Sequence, residues 1–113
     1  MANKNIIILS KMVSYAKKIE NYLKEMPYEE FINNSMVVEA SVFNLSQIGE
    51  LVKTLDPDIV DNNPHIKWIA LRNLRNRIVH DYEGIKFDII WQLSTEHLSK
   101  LITDLEHIIK DIK

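Results

Sequence analysis

The stretch that decides the fold is Asn5–Met26, NIIILSKMVSYAKKIENYLKEM, which is followed directly by Pro27. Its apolar side chains recur every three or four residues, the spacing of one face of an α-helix. They are Leu9, Met12, Val13, Ala16, Ile19, Leu23 and Met26. We expect Pro27 to end the helix, because proline lacks a backbone N–H and restricts the residue before it. The sequence therefore begins with one long amphipathic helix.

The same spacing continues beyond the proline. Residues 28–33 predict a short helical turn, and Ser35 is predicted to cap a second long helix that ends near Leu55. Gly49 lies inside this helix at a cost of about 1 kcal/mol relative to alanine. Close approach of another helix is the usual compensation for such a glycine, so we expect one at Gly49.

The middle of the chain predicts a loop and then a third helix. Residues 56–63 combine proline, aspartate and asparagine, which is typical of a loop. Asn63 is predicted to cap a helix that has Pro64 at its first position. This helix is predicted to run from His65 to His80 or Tyr82, with Gly84 as its stop.

A last helix is predicted from Phe87 or Asp88 to the C-terminus. It carries a seam with steps of three and four residues, suited to packing along another helix. The seam consists of Trp91, Ser94, Leu98, Leu101, Leu105, Ile108 and Ile112. Residues 1–113 are therefore predicted to form a single all-α domain, an antiparallel bundle of four main helices plus a short helical turn.

Composition excludes several classes of function. The 113 residues include no cysteine, which excludes disulfides, thiolate zinc sites and a cysteine nucleophile, and which fits a cytoplasmic protein. The longest aliphatic run, Ile6–Leu9, is far shorter than the roughly 20 residues of a membrane span, so we expect no membrane partner. The first residues have no long apolar stretch, so no secretory signal is expected.

The charge is distributed unevenly along the chain. The net charge is −2, yet Lys67, Arg72, Arg75 and Arg77 fall between His65 and His80 without any acid. Such a basic strip on an acidic body can bind a phosphate backbone. The alternative is a solvated helix face whose counter-charges come from neighbouring helices, and charge alone favours this alternative.

One histidine stands out by its neighbours. The spacing of the four histidines does not suit a metal site, so we expect no metal and no cofactor. On an ideal helix, Arg72, Asn76 and His80 share a sector of about 80°, whereas Arg75 lies about 140° from His80. Arg75 could then meet the imidazole only through its long side chain, a distorted helix end or a second copy of the protein.

This residue set suits cleavage of a phosphodiester. Histidine can take a proton from a ribose 2′-hydroxyl, and arginine can hold the phosphate as negative charge develops. The alternative is a histidine that the helix dipole favours at a helix C-terminus, with Arg75 in a surface ion pair. Spacing alone slightly favours this structural alternative.

The spacing Arg75-x4-His80-x-Tyr82 resembles the R-x4-H-x-Y signature of the HepT-like proteins, the DUF86 branch of the HEPN superfamily. Further positions across nearly the whole chain resemble the same family. They are Phe31, Gln47-Ile48-Gly49-Glu50, Trp68, Arg75-Asn76, His80-Asp81-Tyr82, Gly84-Ile85 and Trp91. Lys67 and Lys86 depart from the family pattern, in which proline and aspartate are common at these positions.

The resemblance implies a HEPN-type helical fold and a toxin of a type VII HepT/MntA-type toxin–antitoxin module. It implies a homodimer that acts as a metal-independent ribonuclease in the cytoplasm, with tRNA as the expected RNA substrate. His80 would be the general base and Arg75 the phosphate clamp. Asn76, together with Arg72 and Arg77, would support binding of phosphate and RNA.

The resemblance also implies how such a toxin is neutralised. A cognate nucleotidyltransferase antitoxin of the MNT type would transfer AMP to Tyr82, which would block RNA by charge and by bulk. The alternative function is a non-catalytic HEPN binding subunit that partners a nucleotidyltransferase. Trp68 and Trp91 are expected in the core or at a dimer interface rather than as stacking platforms for bases.

Overall fold

The computed structural model describes residues 3–80 and 84–113, and of His80 it describes the backbone. Nearly all of the regular secondary structure in these residues is helical. In chain order, the elements are α1 (Lys4–Leu23), α2 (Tyr28–Ile32), α3 (Ser35–Val52), α4 (Pro57–Asp61), α5 (Trp68–Arg72), α6 (Leu74–Ile78), β1 (Val79–His80), β2 (Gly84–Ile85), α7 (Phe87–Gln92), a π-helical turn (Leu93–His97) and α8 (Leu98–Ile112).

The core forms where the long helices α1, α3 and α8 pack together. The side chains of Leu9, Ile19, Ile48 and Leu105 from these helices are fully buried. Each long helix thus places its apolar stripe inside, as the spacing in the sequence predicts. The all-α prediction is confirmed, and the strands found within residues 3–80 and 84–113 form one pair of two residues each.

The first half of the chain follows the prediction closely. Helix α1 ends before Pro27, and α2 corresponds to the predicted short turn. The predicted cap of α3 is wrong, because Asn34 occupies the cap position and its side-chain oxygen accepts a hydrogen bond from the Val37 N–H at 3.1 Å. Ser35 is the first helical residue, and α3 ends at Val52 rather than near Leu55.

The predicted loop over residues 56–63 is wrong, since it contains α4. Pro57 occupies the first turn of this helix, where a missing N–H removes no helical hydrogen bond. The chain before α4 is tied to the start of α1. The side-chain nitrogen Nδ2 of Asn5 donates to the Asp56 carboxylate at 3.0 Å, and Lys4 Nζ lies 2.9 Å from the same carboxylate.

The predicted third helix is also wrong in its extent. It is divided at Asn73 into α5 and α6, and its last part is the extended strand β1. Asn63 and Pro64 do not begin it, because α5 starts at Trp68. Gly84 has the positive φ, 82°, that favours glycine, but it lies in β2 rather than after the end of a helix.

The last predicted helix begins at Phe87 as expected, but a π-helical turn interrupts it. This wider turn changes which residues face the core. The buried positions on α7, the π turn and α8 are Ile90, Ser94, Leu98, Ile102, Leu105 and Ile108. Ile90 thus replaces Trp91 of the predicted seam. On α8, beyond the turn, Ile102 is buried where the seam predicted Leu101, and Trp91 and Leu101 are both half-buried.

Within residues 3–80 and 84–113, none of the helices has the length and apolar character that crossing a membrane requires.

Candidate active site

The position of the basic segment depends on Gly49 of α3. A Cβ atom at Gly49 would lie 2.7 Å from the backbone oxygen of Leu71 and 3.3 Å from that of Arg72. The last turn of α5 therefore rests directly on the backbone of α3, a distance that only glycine allows. This confirms the close approach predicted at Gly49.

Buried anchors fix the two short helices against the bundle. Trp68 is buried and its indole N–H donates to the Asn63 backbone oxygen at 2.9 Å. Leu74 and Ile78 bury the inner side of α6. The prediction that Trp68 belongs to the core rather than to an exposed stacking platform is thereby confirmed.

The second tryptophan contributes to an aromatic cluster. Trp91 is half-buried and lies with its ring centroid 5.5 Å from that of Tyr28 and 5.4 Å from that of Phe31. Edge-to-face and tilted pairs at this separation favour packing. Trp91 thus connects α7 to α2.

The break at Asn73 changes the predicted geometry of the site residues. Arg72 lies at the end of α5, whereas Asn76 lies in α6 and His80 lies in β1. The predicted strip of these three residues assumed one unbroken helix, so that prediction is wrong. For the same reason, the 140° separation of Arg75 and His80 does not apply, because the chain leaves the helix at Ile78.

Helix α6 leads directly into the strand pair. Val79 pairs with Ile85 and His80 with Gly84 in antiparallel register. The Lys86 N–H donates to the Ile78 backbone oxygen at 2.9 Å, which extends the pairing to the end of α6. The backbone of His80 therefore lies two residues beyond the end of α6, the helix that carries Arg75, Asn76 and Arg77.

The predicted site residues can be located as far as the described residues extend. Arg72, Arg75, Asn76 and Arg77 are all exposed. The side chain of His80 and the whole of Tyr82 lie outside the described residues.

The ion pairs between described side chains lie outside the basic segment. Among the side chains that the structure describes, they are Lys4–Asp56, Lys17–Glu106, Lys53–Glu50, Lys100–Asp104 and His107–Asp111. None of these pairs includes a residue of the basic segment between His65 and His80. Within the described part of the chain, the charges of this segment are therefore not neutralised by direct ion pairs with neighbouring helices.

A cleft lies on one side of the basic segment, between α5–α6 and the start of α8. It has a volume of about 370 Å³, and Arg77 lines it together with Lys67 and Lys100. Sequence reasoning did not connect Lys100 with this region. The contact is formed by tertiary packing of segments that are far apart in the chain, for which the sequence gives no local signal.

No cluster of three or more histidine, aspartate or glutamate side chains suited to a metal ion occurs among the described residues.

Comparison with known proteins finds one family and several relatives that match most of the chain. The family described as "Ribonuclease HepT-like" matches residues 12–109. Two proteins of Methanocaldococcus jannaschii, each named as a "Putative RNase", are 35% and 36% identical over 102 residues. Each alignment covers 90% of this chain, and they cover 88% and 84% of the respective relatives.

A protein of Thermococcus cleftensis named "Probable ribonuclease HepT" is 26% identical over 92 residues, which cover 81% of this chain and 84% of that protein. No solved structure matches the chain significantly. The family match extends from α1 to α8 and includes the whole of α6 and both strands. The chain therefore belongs to the HepT-like ribonuclease family.

Proposed function

We propose that this protein is the ribonuclease toxin of a type VII HepT/MntA-type toxin–antitoxin module. The observation that carries the proposal is Arg75-x4-His80 at the point where the exposed basic helix α6 enters the strand pair. Membership of the HepT-like ribonuclease family supports the reaction type. The names of the relatives support RNA as the class of substrate.

The chemistry follows from the two motif residues. His80 takes the proton from a ribose 2′-hydroxyl, and the oxygen attacks the adjacent phosphorus as the bond to the 5′-oxygen breaks. The leaving 5′-oxygen takes up a proton, and the other product carries a 2′,3′-cyclic phosphate. Arg75 donates to the phosphate oxygens, on which negative charge increases in the transition state. Asn76 and Arg72 support binding of the phosphate backbone.

The decisive experiment compares wild type with His80→Ala on total tRNA in the presence of EDTA. We expect discrete products with wild type and none with the variant, read on a denaturing gel. His107→Ala is the matched control, since His107 is exposed on α8 and 75% of its side-chain surface is accessible. Cleavage by His80→Ala at the wild-type rate contradicts the assigned base.

Absence of cleavage in every lane has a different meaning. If neither tRNA nor messenger RNA is cleaved at any excess of wild type, the protein acts instead as a non-catalytic partner of a nucleotidyltransferase. Circular dichroism of each variant establishes that the helical fold is retained, which separates loss of function from loss of structure.

We further propose that the active form is a homodimer. Met36 and Phe43 are seven residues apart on α3, so they share one face, and their side chains are 79% and 57% exposed. Large apolar side chains exposed on one helix face favour association. Sedimentation of wild type is expected to give a dimer mass, and Phe43→Asp is expected to shift it toward the monomer.

Neutralisation by the partner enzyme is proposed at Tyr82. The phenolic oxygen attacks the α-phosphorus of ATP, pyrophosphate leaves, and the tyrosine carries AMP. Intact mass after co-expression with the nucleotidyltransferase should increase by multiples of AMP in wild type and in the control Tyr28→Phe. A mass increase that persists in Tyr82→Phe contradicts the assigned residue.

A further inference from the structure

The cleft beside α6 combines an apolar floor with a cationic rim. Leu71, Leu93 and Leu101 form half-buried parts of the floor, and Lys67 and Arg77 are exposed at the rim. A volume of about 370 Å³ lies in the range of clefts that bind small molecules, about 300–1,000 Å³. The cleft therefore has the size and the lining of a site for one compact ligand.

The charges along the cleft favour an anion. Among the described lining residues, Lys67, Arg77 and Lys100 carry positive charge, and Asp104 carries the one carboxylate. That carboxylate accepts a hydrogen bond from Lys100 Nζ at 2.9 Å, so it largely compensates Lys100. Lys67 and Arg77 form no ion pair with any other side chain that the structure describes, so their charges can contact a ligand.

Arg77 and Arg75 belong to different sides of the same helix. They are two residues apart in α6, which corresponds to about 200° around a helix. Arg77 lines the cleft, and among the described lining residues Arg75 does not occur. Arg75 and the cleft are therefore on different sides of α6, and a helix with its side chains is about 10–12 Å wide.

We infer that this cleft binds a single unstacked nucleotide of the RNA substrate, next to the scissile phosphate rather than at it. The base lies against the leucine floor, and the phosphate contacts Lys67 and Arg77. This assignment deepens the proposed ribonuclease function and rests on it for the identity of the polymer. Single-stranded RNA presents bases that can be splayed out into such clefts.

The size of the cleft favours a nucleotide over an acidic protein partner. A stable protein interface covers about 800 Å² on each partner and is comparatively flat. A small concave cleft that joins an apolar surface to two cations suits one planar base with its phosphate.

The first test fills the cleft without changing its charge. Ala70 is half-buried, lies in α5 and lines the cleft, so Ala70→Phe places a ring in it. Ile69→Phe is the matched control, because Ile69 is the adjacent residue and is 70% exposed. Each protein is titrated with AMP, GMP, CMP and UMP while backbone amide signals are followed by NMR.

We expect wild type and Ile69→Phe to bind at least one of these nucleotides, with signal shifts confined to residues 67–71, 77 and 98–101. Ala70→Phe should weaken binding at least about tenfold. Equal binding by Ala70→Phe, or shifts that fall elsewhere, overturns the inference. Circular dichroism and thermal unfolding confirm that both phenylalanine variants are folded.

The second test measures the phosphate contact. Arg77→Gln and the exposed control Lys11→Gln remove the same charge, and both are assayed with a single-stranded 2′-O-methyl RNA that resists cleavage. Loss of one phosphate contact lowers the slope of log affinity against log salt by about 0.7 for single strands. We expect this change in Arg77→Gln alone, and an unchanged slope overturns the inference.

These tests separate the cleft from the ribonuclease proposal. Nucleotide binding that depends on Ala70, in a protein without RNA cleavage, supports the cleft and contradicts the ribonuclease. If RNA cleavage depends on His80 but Ala70→Phe binds nucleotides as well as wild type does, the ribonuclease proposal is supported and the proposed nucleotide site in the cleft is contradicted. If no nucleotide binds and Ala70→Phe instead prevents assembly with the nucleotidyltransferase, the cleft is a protein interface and the inference is overturned.

Discussion

The long helices and the basic segment reach their structures in different ways. Helices α1, α3 and α8 have 15 to 20 residues each and bury continuous apolar stripes. Helices α5 and α6 have five residues each, far fewer than the roughly 12–15 that an isolated helix needs for stability. The first region is stable through its own packing, and the second is held in place by the first. The proposed motif, Arg75-x4-His80, thus belongs to the part of the chain with less intrinsic stability.

The largest effect is expected in the core of the long helices. Leu105 of α8 is fully buried, so Leu105→Ala removes packed methyl groups and leaves a cavity. We expect a loss of about 2–5 kcal/mol in the free energy of unfolding, measured by urea denaturation. The exposed Lys110→Ala on the same helix is the control. A loss below about 1 kcal/mol for Leu105→Ala contradicts the assigned core.

A smaller effect is expected where the two regions meet. Gly49→Ala forces a methyl group against the Leu71 backbone oxygen, which must move because 2.7 Å is too close. We expect a loss of about 1–3 kcal/mol in the free energy of unfolding, despite the better helix propensity of alanine. Movement of α5 should also reduce RNA cleavage at a temperature where the variant is folded.

The control for this substitution is the exposed Glu39→Ala on the same helix. This variant introduces alanine into α3 at an exposed position. The free energy of unfolding of Glu39→Ala should differ from that of wild type by less than about 0.5 kcal/mol. A stabilised Gly49→Ala protein is incompatible with the close packing of α5 on α3.

Hydrogen exchange compares the two regions in the unmodified protein. Backbone amides in residues 69–78 should exchange at least about tenfold faster than those in the centre of α3, because the short helices open locally without unfolding the bundle. Mass spectrometry of peptides from each region measures this difference. Equal protection in both regions excludes local opening of the basic segment.

The smallest effect concerns the link between α1 and α4. Hydrogen bonds from Lys4 and Asn5, together with the charge of Lys4, lower the pKa of Asp56 below its ordinary value. A lowered pKa in the folded state stabilises the protein above the ordinary value of 3.8, and this contribution is lost as the pH falls through the lowered value. Wild type should therefore exceed Asp56→Asn in stability at pH 6, and the difference should narrow at pH 3.

Urea unfolding of wild type and Asp56→Asn at pH 6 and at pH 3 measures how the difference in their free energies of unfolding changes with pH. Lys4→Met removes the main cause of the lowered pKa of Asp56. In this background, the stability difference that Asp56→Asn causes at pH 6 should be smaller than it is with Lys4 present. The carboxylate is exposed, so the effect is small. A difference that is the same at pH 3 and pH 6 contradicts the assigned hydrogen bonds.

The sequence predicts the long helices well because their periodicity repeats over several turns. It fails where the elements are short. Helix α4 has only five residues, fewer than two helical turns, so its apolar residues cannot show a repeat. The proline at its start is also common in loops. The break at Asn73 arises while the apolar spacing from Ile66 to Ile78 remains helical, so spacing alone cannot reveal it.

The candidate site was predicted by a mixture of chemistry and resemblance. The exposure of Arg75 and Arg77 agrees with a role in binding RNA, and the contact made by Gly49 was expected from its position in a helix. The cleft was not predictable, because Lys100 and Arg77 are brought together only by the folding of α8 onto the basic segment. The roles of His80 and Tyr82 remain predictions for the experiments above.

The π-helical turn at Leu93–His97 makes the core depend on the length of the chain as well as on its composition. The turn accommodates one more residue than a regular α-helical turn, which is why Ile90 rather than Trp91 faces the interior. Deleting a single residue within it should restore a regular α-helical turn, in which Ile90 lies seven residues before Leu98 and still faces the core. The turn therefore acts as a one-residue insertion that the fold absorbs without changing which face of α7 or of α8 is buried.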